Sequence, residues 1–143
     1  MNIPRLLLTI IAGFLLIFAT DFLIHGFWLA ADYKATSQLW RPDAEMQSRF
    51  HWMLAGQLLC AVSFVIVWAK WIASSSLMTG AVFGFWLGIL QQVWAIAFYV
   101  VAPLPGEIAA KWFAAGLVQA VLLGITTAAL YRPAVASREP QTV

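Results

Sequence analysis

Charge is scarce in this chain. Of 143 residues only 10% are Asp, Glu, Lys or Arg, against roughly a quarter in soluble domains. With 63% of residues hydrophobic and a mean hydropathy of +0.86, little sequence is left for a water-soluble domain. The net charge of +2 is small and no run of Lys or Arg exists, so nucleic acid is excluded as a partner class. There is one cysteine, Cys60, so no internal disulfide can form. It falls within an apolar stretch and reads there as a small apolar residue. The signatures of catalysis are missing too: no glycine-rich phosphate loop, no paired-cysteine motif, no Gly-x-Ser-x-Gly elbow. No catalytic residue is assigned, and catalysis is the minority reading.

What the chain has is four apolar stretches. A membrane-spanning helix needs about 20 apolar residues, and the spans read at about 6–31, 50–69, 77–102 and 112–131. Two of them are bracketed by cations, Arg49 with Lys70 and Lys111 with Arg132, which places the charges where they can snorkel. Backbone in lipid must satisfy its own hydrogen bonds, and these runs do not alternate as barrel strands do. The expected fold is therefore all-α: a polytopic four-helix bundle over 1–132, with a disordered tail over 133–143. The first stretch is longer than the about 7–15 apolar residues of a signal peptide, so it reads as a retained helix that doubles as a signal anchor.

The longest connection runs from Asp32 to Ser48. Pro42, followed by Asp43 and Glu45, predicts a helix start there, since proline suits the first turn and carboxylates suit the positive end of the helix dipole. Trp28, Trp40, Trp52 and Trp112 fall near one interface and Trp68 and Trp71 near the other, as aromatic belts do. Trp86 and Trp94 lie deeper and are expected to pack or to find an indole partner. Four spans put both termini on one side. That side carries Arg5, Lys70, Arg132 and Arg138, and the opposite side Lys34, Arg41, Arg49 and Lys111, so counting cations leaves the orientation undecided. Asp32, Asp43, Glu45 and Glu107 all lie opposite the termini, which tips the reading toward cytoplasmic termini in a bacterial inner (plasma) membrane.

Small residues recur at intervals of four. The third span has Gly80, Gly84 and Gly88; the fourth has Gly116, Ala120 and Gly124. Such stripes let helix backbones approach closely in lipid. The short Pro103–Gly106 turn makes these spans antiparallel neighbours, so the two stripes are expected to face each other. A homodimer through one of them is the alternative.

The residue that stands out is Asp21, a carboxylate at membrane depth. On insertion scales it costs about 2.5–3.5 kcal/mol and is normally kept for a reason. His25 follows at i+4 on the same helical face. His51, Tyr99, Gln92 and Gln119 fall in the same half of the bilayer, away from the termini, here called the distal half. Three readings compete. Asp21 and His25 form a proton or small-ligand site, supported by His51 or Tyr99. Alternatively His25 and His51 hold a metal or a haem, with Asp21 behind them. Or Asp21 bonds His25 or a glutamine and the cluster fixes helix register alone; this is the leading reading.

The segments His25-Gly26-Phe27-Trp28, Tyr33, Leu39-Trp40-Arg41-Pro42 and Met46 resemble those of small bacterial four-helix membrane proteins of unknown function. The resemblance covers the first half of the chain and implies the bundle, without an activity. Small multidrug exporters share an acid in the first helix but not their other motifs, and quinone-linked disulfide enzymes need paired cysteines. The function expected is a non-enzymatic accessory or helix-packing module, in the bilayer with a membrane-protein partner. The alternative is a small proton-coupled carrier or ligand-binding protein centred on Asp21 and His25. No cofactor is assigned.

Overall fold

The structure, a computed structural model, describes residues 2–131. The tail expected to be disordered, 133–143, lies outside the described residues. Helix α1 spans Ile3–Leu23 and continues as a π-helical turn, Ile24–Trp28. Asn2 caps its start by accepting from the Arg5 N–H, and Pro4 occupies the first turn, where its missing donor costs nothing. A short helix α2 (Ala30–Ala35), a 3-10 turn (Ser37–Leu39) and a short helix α3 (Asp43–Ser48) form the long connection. Helix α4 covers Phe50–Val67 and ends in a second π turn, Trp68–Ile72. Helix α5 is Leu77–Val101 and helix α6 is Gly106–Leu130. No strand occurs among the described residues.

Four helices, Ile3–Trp28, Phe50–Ile72, Leu77–Val101 and Gly106–Leu130, are long and apolar enough to cross a membrane. The chain is an all-α, multi-pass membrane bundle. The boundaries differ from the sequence-based spans at several ends: the first helix already starts at Ile3 and the second runs on to Ile72. The first helix stops at Trp28 rather than Ala31, because Leu29 leaves helical geometry (φ −95°, ψ 0°). The fourth begins at Gly106, six residues before the apolar run, because Pro105 sets its start and Glu107 suits its N-terminal dipole. Pro42 precedes α3 as its cap residue in extended conformation, and a break at Arg49 (φ −103°, ψ 1°) separates that helix from α4.

Helices α5 and α6 form the tightest pair. A Cβ on Gly80 would meet the carbonyl oxygen of Gly124, one on Gly84 the carbonyl oxygen of Ala120, and one on Gly88 the Ala120 Cβ at 2.9 Å. Gly80, Gly84 and Gly88 are buried, and α6 fills the groove they make. Gly116 faces the Gln92 side chain. With α6 packed on this groove, it is not open to a second copy of the chain.

Helix α1 packs on α4 and on α6. Two apolar clusters hold the half of the bundle that carries the termini. Leu6, Val65, Trp68, Ala69, Ala128 and Tyr131 form one; Ile17, Ala61, Phe64 and Leu123 form the other. Phe83 of α5 touches both through the rings of Phe64 and Trp68. Outside these clusters large apolar side chains point away from the bundle, as lipid requires. Trp86 and Trp94, expected to pack, are 64% and 74% exposed; Trp86 has an edge contact with Phe85, and Trp94 borders the cavity described below.

Candidate functional site

The distal half is built differently. Asp21 occupies the last full turn of α1 and faces inward, half-buried. Its Oδ2 accepts the Nε2–H of Gln57 on α4 at 2.6 Å, and its Oδ1 accepts that of Gln119 on α6 at 2.7 Å. Gln119 Nε2 also lies 2.6 Å from Thr20 Oγ1 and 3.3 Å from the Ile17 carbonyl oxygen. Thr20 can accept because its own proton goes back to the Leu16 carbonyl, 2.7 Å away. One carboxylate thus ties three helices at a single level.

The expected Asp21–His25 pair does not form. Both Asp21 oxygens are already engaged by amides from facing helices, and His25 is held elsewhere. Trp112 Nε1, which can only donate, lies 2.7 Å from the Tyr33 hydroxyl oxygen. The phenol proton is therefore free to go to His25 Nδ1, 2.6 Å away, which makes that nitrogen the acceptor. The imidazole also stacks on the Tyr33 ring at 5.9 Å and 12°. The π turn that carries His25 closes with an i→i+5 bond from Leu29 N to the Ile24 carbonyl at 2.9 Å. Such widened turns recur at functional sites.

Tyr33 belongs to an aromatic cover over the distal end. Its ring meets Trp40 edge-on at 5.2 Å, Trp40 lies 6.1 Å from Trp112, and Trp112 lies 5.8 Å from Phe98. Trp40 and Trp112, read as interfacial belt residues, instead pack with Leu104, Ile108 and Ala109 beneath the connection. Lys111 anchors that connection by donating to Asp32 at 2.9 Å and to Glu107 at 2.7 Å. Burial pushes the Tyr33 phenol above its ordinary range; the Trp112 hydrogen bond offsets part of this, and the Asp32 and Asp21 carboxylates add to it. On α3 the exposed Glu45 carboxyl is held below its ordinary range by the Arg41 guanidinium and, less strongly, by Arg49.

Between the cover and the apolar clusters lies a cavity of about 540 Å³. Asp21 and His25 reach it from the first span; Gly56, Gln57 and Cys60 from α4; Gln91, Gln92, Trp94 and Phe98 from α5; Trp112, Gly116 and Gln119 from α6. Among the described residues no Lys or Arg lines it. A Cβ on Gly56 would meet nothing within 4 Å, so this wall of α4 borders open space. Gln57 is 7% exposed, and its Oε1 is buried without a hydrogen-bond partner. Gln91 Nε2 reaches Cys60 Sγ at 3.9 Å, the limit for a sulfur contact.

Of the residues singled out from sequence, Asp21, His25, Gln92 and Gln119 line this cavity. His51 and Tyr99 do not. His51 is exposed, with its ring beside that of the adjacent Trp52 at 5.4 Å and tilted by 42°. Tyr99 is exposed on the outer face of α5, and Gly106 lies beside its ring. His25 and His51 thus have separate partners, and among the described residues no three His, Cys, Asp or Glu side chains gather as a metal site would need. Gln57 is the Asp21 partner and cavity residue that sequence reasoning missed. Its signal is present: it is the one amide between Phe50 and Ile72, seven residues into an otherwise apolar helix.

The chain matches no protein-family profile, no curated protein and no solved structure.

Proposed function

We propose that this chain is a small ligand-binding membrane protein of the carrier type, with its site in the cavity around Asp21. The observation that supports this reading is the cavity itself. A carboxylate kept only to fix helix register is best served by dry, close packing around it. Here Asp21 borders about 540 Å³ of space, within the range of small-molecule sites. Four glutamines from α4, α5 and α6 converge on that space with His25 of the first span, among apolar and aromatic walls. Such a lining, mostly apolar with a few convergent polar groups, orients a ligand as well as holding it.

The single cysteine is a built-in test. Cys60 lines the cavity, so N-ethylmaleimide should alkylate it in native membranes. Gly56→Trp, whose Cβ would meet nothing within 4 Å, should slow that labelling severalfold. A Cys60 that stays inert in the folded protein yet labels after denaturation would overturn the reading.

A packing role has one observation in its favour: Asp21 already ties α1, α4 and α6 through Gln57 and Gln119. Asp21→Asn separates the two. An accessory module would keep normal accumulation and complex formation in the membrane, whereas a ligand site loses its ligand. We place the chain in a bacterial inner membrane with cytoplasmic termini, a reading supported by the four acids at the distal ends of the helices. A reporter fused to Val143 that is active only outside the cytoplasm would reverse the orientation.

A further inference from the structure

We infer that the ligand is a lipophilic amine, bound as its ammonium ion, that reaches Asp21 from the bilayer through the gap between α4 and α5. This rests on the cavity being a ligand site. Four features of the cavity carry it.

The first is missing counter-charge. Among the described residues Asp21 is the one acid in the lining, and no Lys or Arg accompanies it. Its two protein partners are neutral amides. A carboxylate in a low-dielectric interior is costly when alone and strongly attractive to a cation. A ligand cation would supply what the protein omits.

The second is a surplus of acceptors. The amide donors nearest the carboxylate, Gln57 Nε2 and Gln119 Nε2, are spent on it, while Gln57 Oε1 is buried with no donor. A buried acceptor without a partner costs free energy that a ligand N–H recovers once the Gln57 amide turns its oxygen toward the cavity. A ligand that offers only carbonyl acceptors finds the wrong chemistry here, and an anion meets Asp21.

The third is the wall opposite. Trp94, Phe98 and Trp112 line the same space, and aromatic rings attract cations, tryptophan most of all.

The fourth is the way in. The distal end is covered by the contacting rings of His25, Tyr33, Trp40 and Trp112. Towards the termini α4 and α5 meet through Phe64 and Trp68 against Phe83. At cavity level the contact between them is the long Gln91–Cys60 approach, with open space at Gly56 and an exposed Gln91. That gap faces acyl chains, so a ligand that uses it must first partition into lipid.

The test uses the full chain in nanodiscs of zwitterionic lipid and three probes of one shape. They are N,N-dimethyl-1-naphthylmethylamine, a cation near pH 7; 1-naphthylmethyl methyl ether, neutral; and 1-naphthylacetate, an anion. Each is scored by the concentration in the disc that half-protects Cys60 from N-ethylmaleimide, after correction for partition into empty discs. The amine should protect at about one-tenth the ether concentration or less, the ratio expected when a charge-assisted hydrogen bond is gained. Asp21→Asn should bring the amine to the level of the ether and leave the ether unchanged, which also reports that the variant is folded. The wild-type ratio stands alone if that variant does not accumulate. Equal protection by amine and ether, or an amine preference that survives Asp21→Asn, overturns the inference. Protection by the ether or the anion alone removes the cationic class and leaves the cavity as a ligand site. If no probe protects, the inference fails; if Gly56→Trp also leaves labelling unchanged, the ligand-site reading falls with it.

Discussion

Gly84→Ala adds one carbon to the closest approach in the bundle. The new Cβ would lie 2.9 Å from the Ala120 carbonyl carbon and 2.9 Å from Val121 Cα, and nearer still to the Ala120 oxygen. Ordinary contact begins at 3.4 Å, and all three obstacles are backbone, so no rotamer change relieves them. The helices must part by about 0.5–1 Å, which forfeits a quarter to a half of each dispersion contact along the seam. Overpacking of this kind costs about 1–3 kcal/mol. Alanine returns about 0.5–1 kcal/mol through helix propensity, so the net loss is about 0–2.5 kcal/mol. Gly56→Ala is the internal control. It meets nothing within 4 Å, keeps the propensity gain, and should be neutral or stabilising by up to about 1 kcal/mol. Gly88→Ala should fall between them, because its neighbours, Ala120 Cβ at 2.9 Å and Leu117 Cδ1 at 3.0 Å, are side-chain atoms. Reversible unfolding by SDS in mixed micelles, followed by helical circular dichroism, reads the order. A Gly84→Ala protein as stable as Gly56→Ala would refute the account of the α5–α6 seam.

Gln57→Leu and Gln119→Leu should each destabilise the bundle by about 1–2 kcal/mol, since each strips a donor from a carboxylate, although bonds inside membranes average less. The double variant should show less than the sum, because both act on Asp21; strict additivity in the same SDS titration refutes the shared site. Tyr33 should stay protonated when exposed phenols ionise. Its raised folded-state pKa means that its contribution to stability is complete below the unfolded value of about 10 and is lost only as pH rises through the higher folded value. A phenolate absorbance difference between wild type and Tyr33→Phe that develops at or below pH 10 contradicts this. Ala73 ends the second π turn in left-handed geometry (φ 44°, ψ 38°), which costs a residue with a Cβ about 1–2 kcal/mol. Ala73→Gly should therefore raise the thermal midpoint, after glycine's unfolded-state entropy takes back part of the gain; a lower midpoint removes the strain argument.

The sequence alone determined the architecture. Apolar run length and charge position are local properties, and lipid reads them directly: the second span read as 50–69 is observed as a helix from Phe50 to Ile72, and the third read as 77–102 as Leu77–Val101. It also singled out Asp21, because a carboxylate at that depth has few cheap explanations. The four-residue glycine interval was visible too, though not the face it would meet. The partners belonged to the tertiary structure. Helical spacing placed His25 beside Asp21, yet the pair lost to Gln57, Gln119 and Tyr33, which lie 36, 98 and 8 residues from the atoms they bond. Trp40 and Trp112 carried the composition of an interfacial belt and became part of a cover. Hydropathy reports how deep a residue sits, while the direction it faces depends on how each helix is rotated about its axis. In lipid no hydrophobic force sets that rotation; it is set by the glycine seam between α5 and α6 and by the amides that converge on one carboxylate.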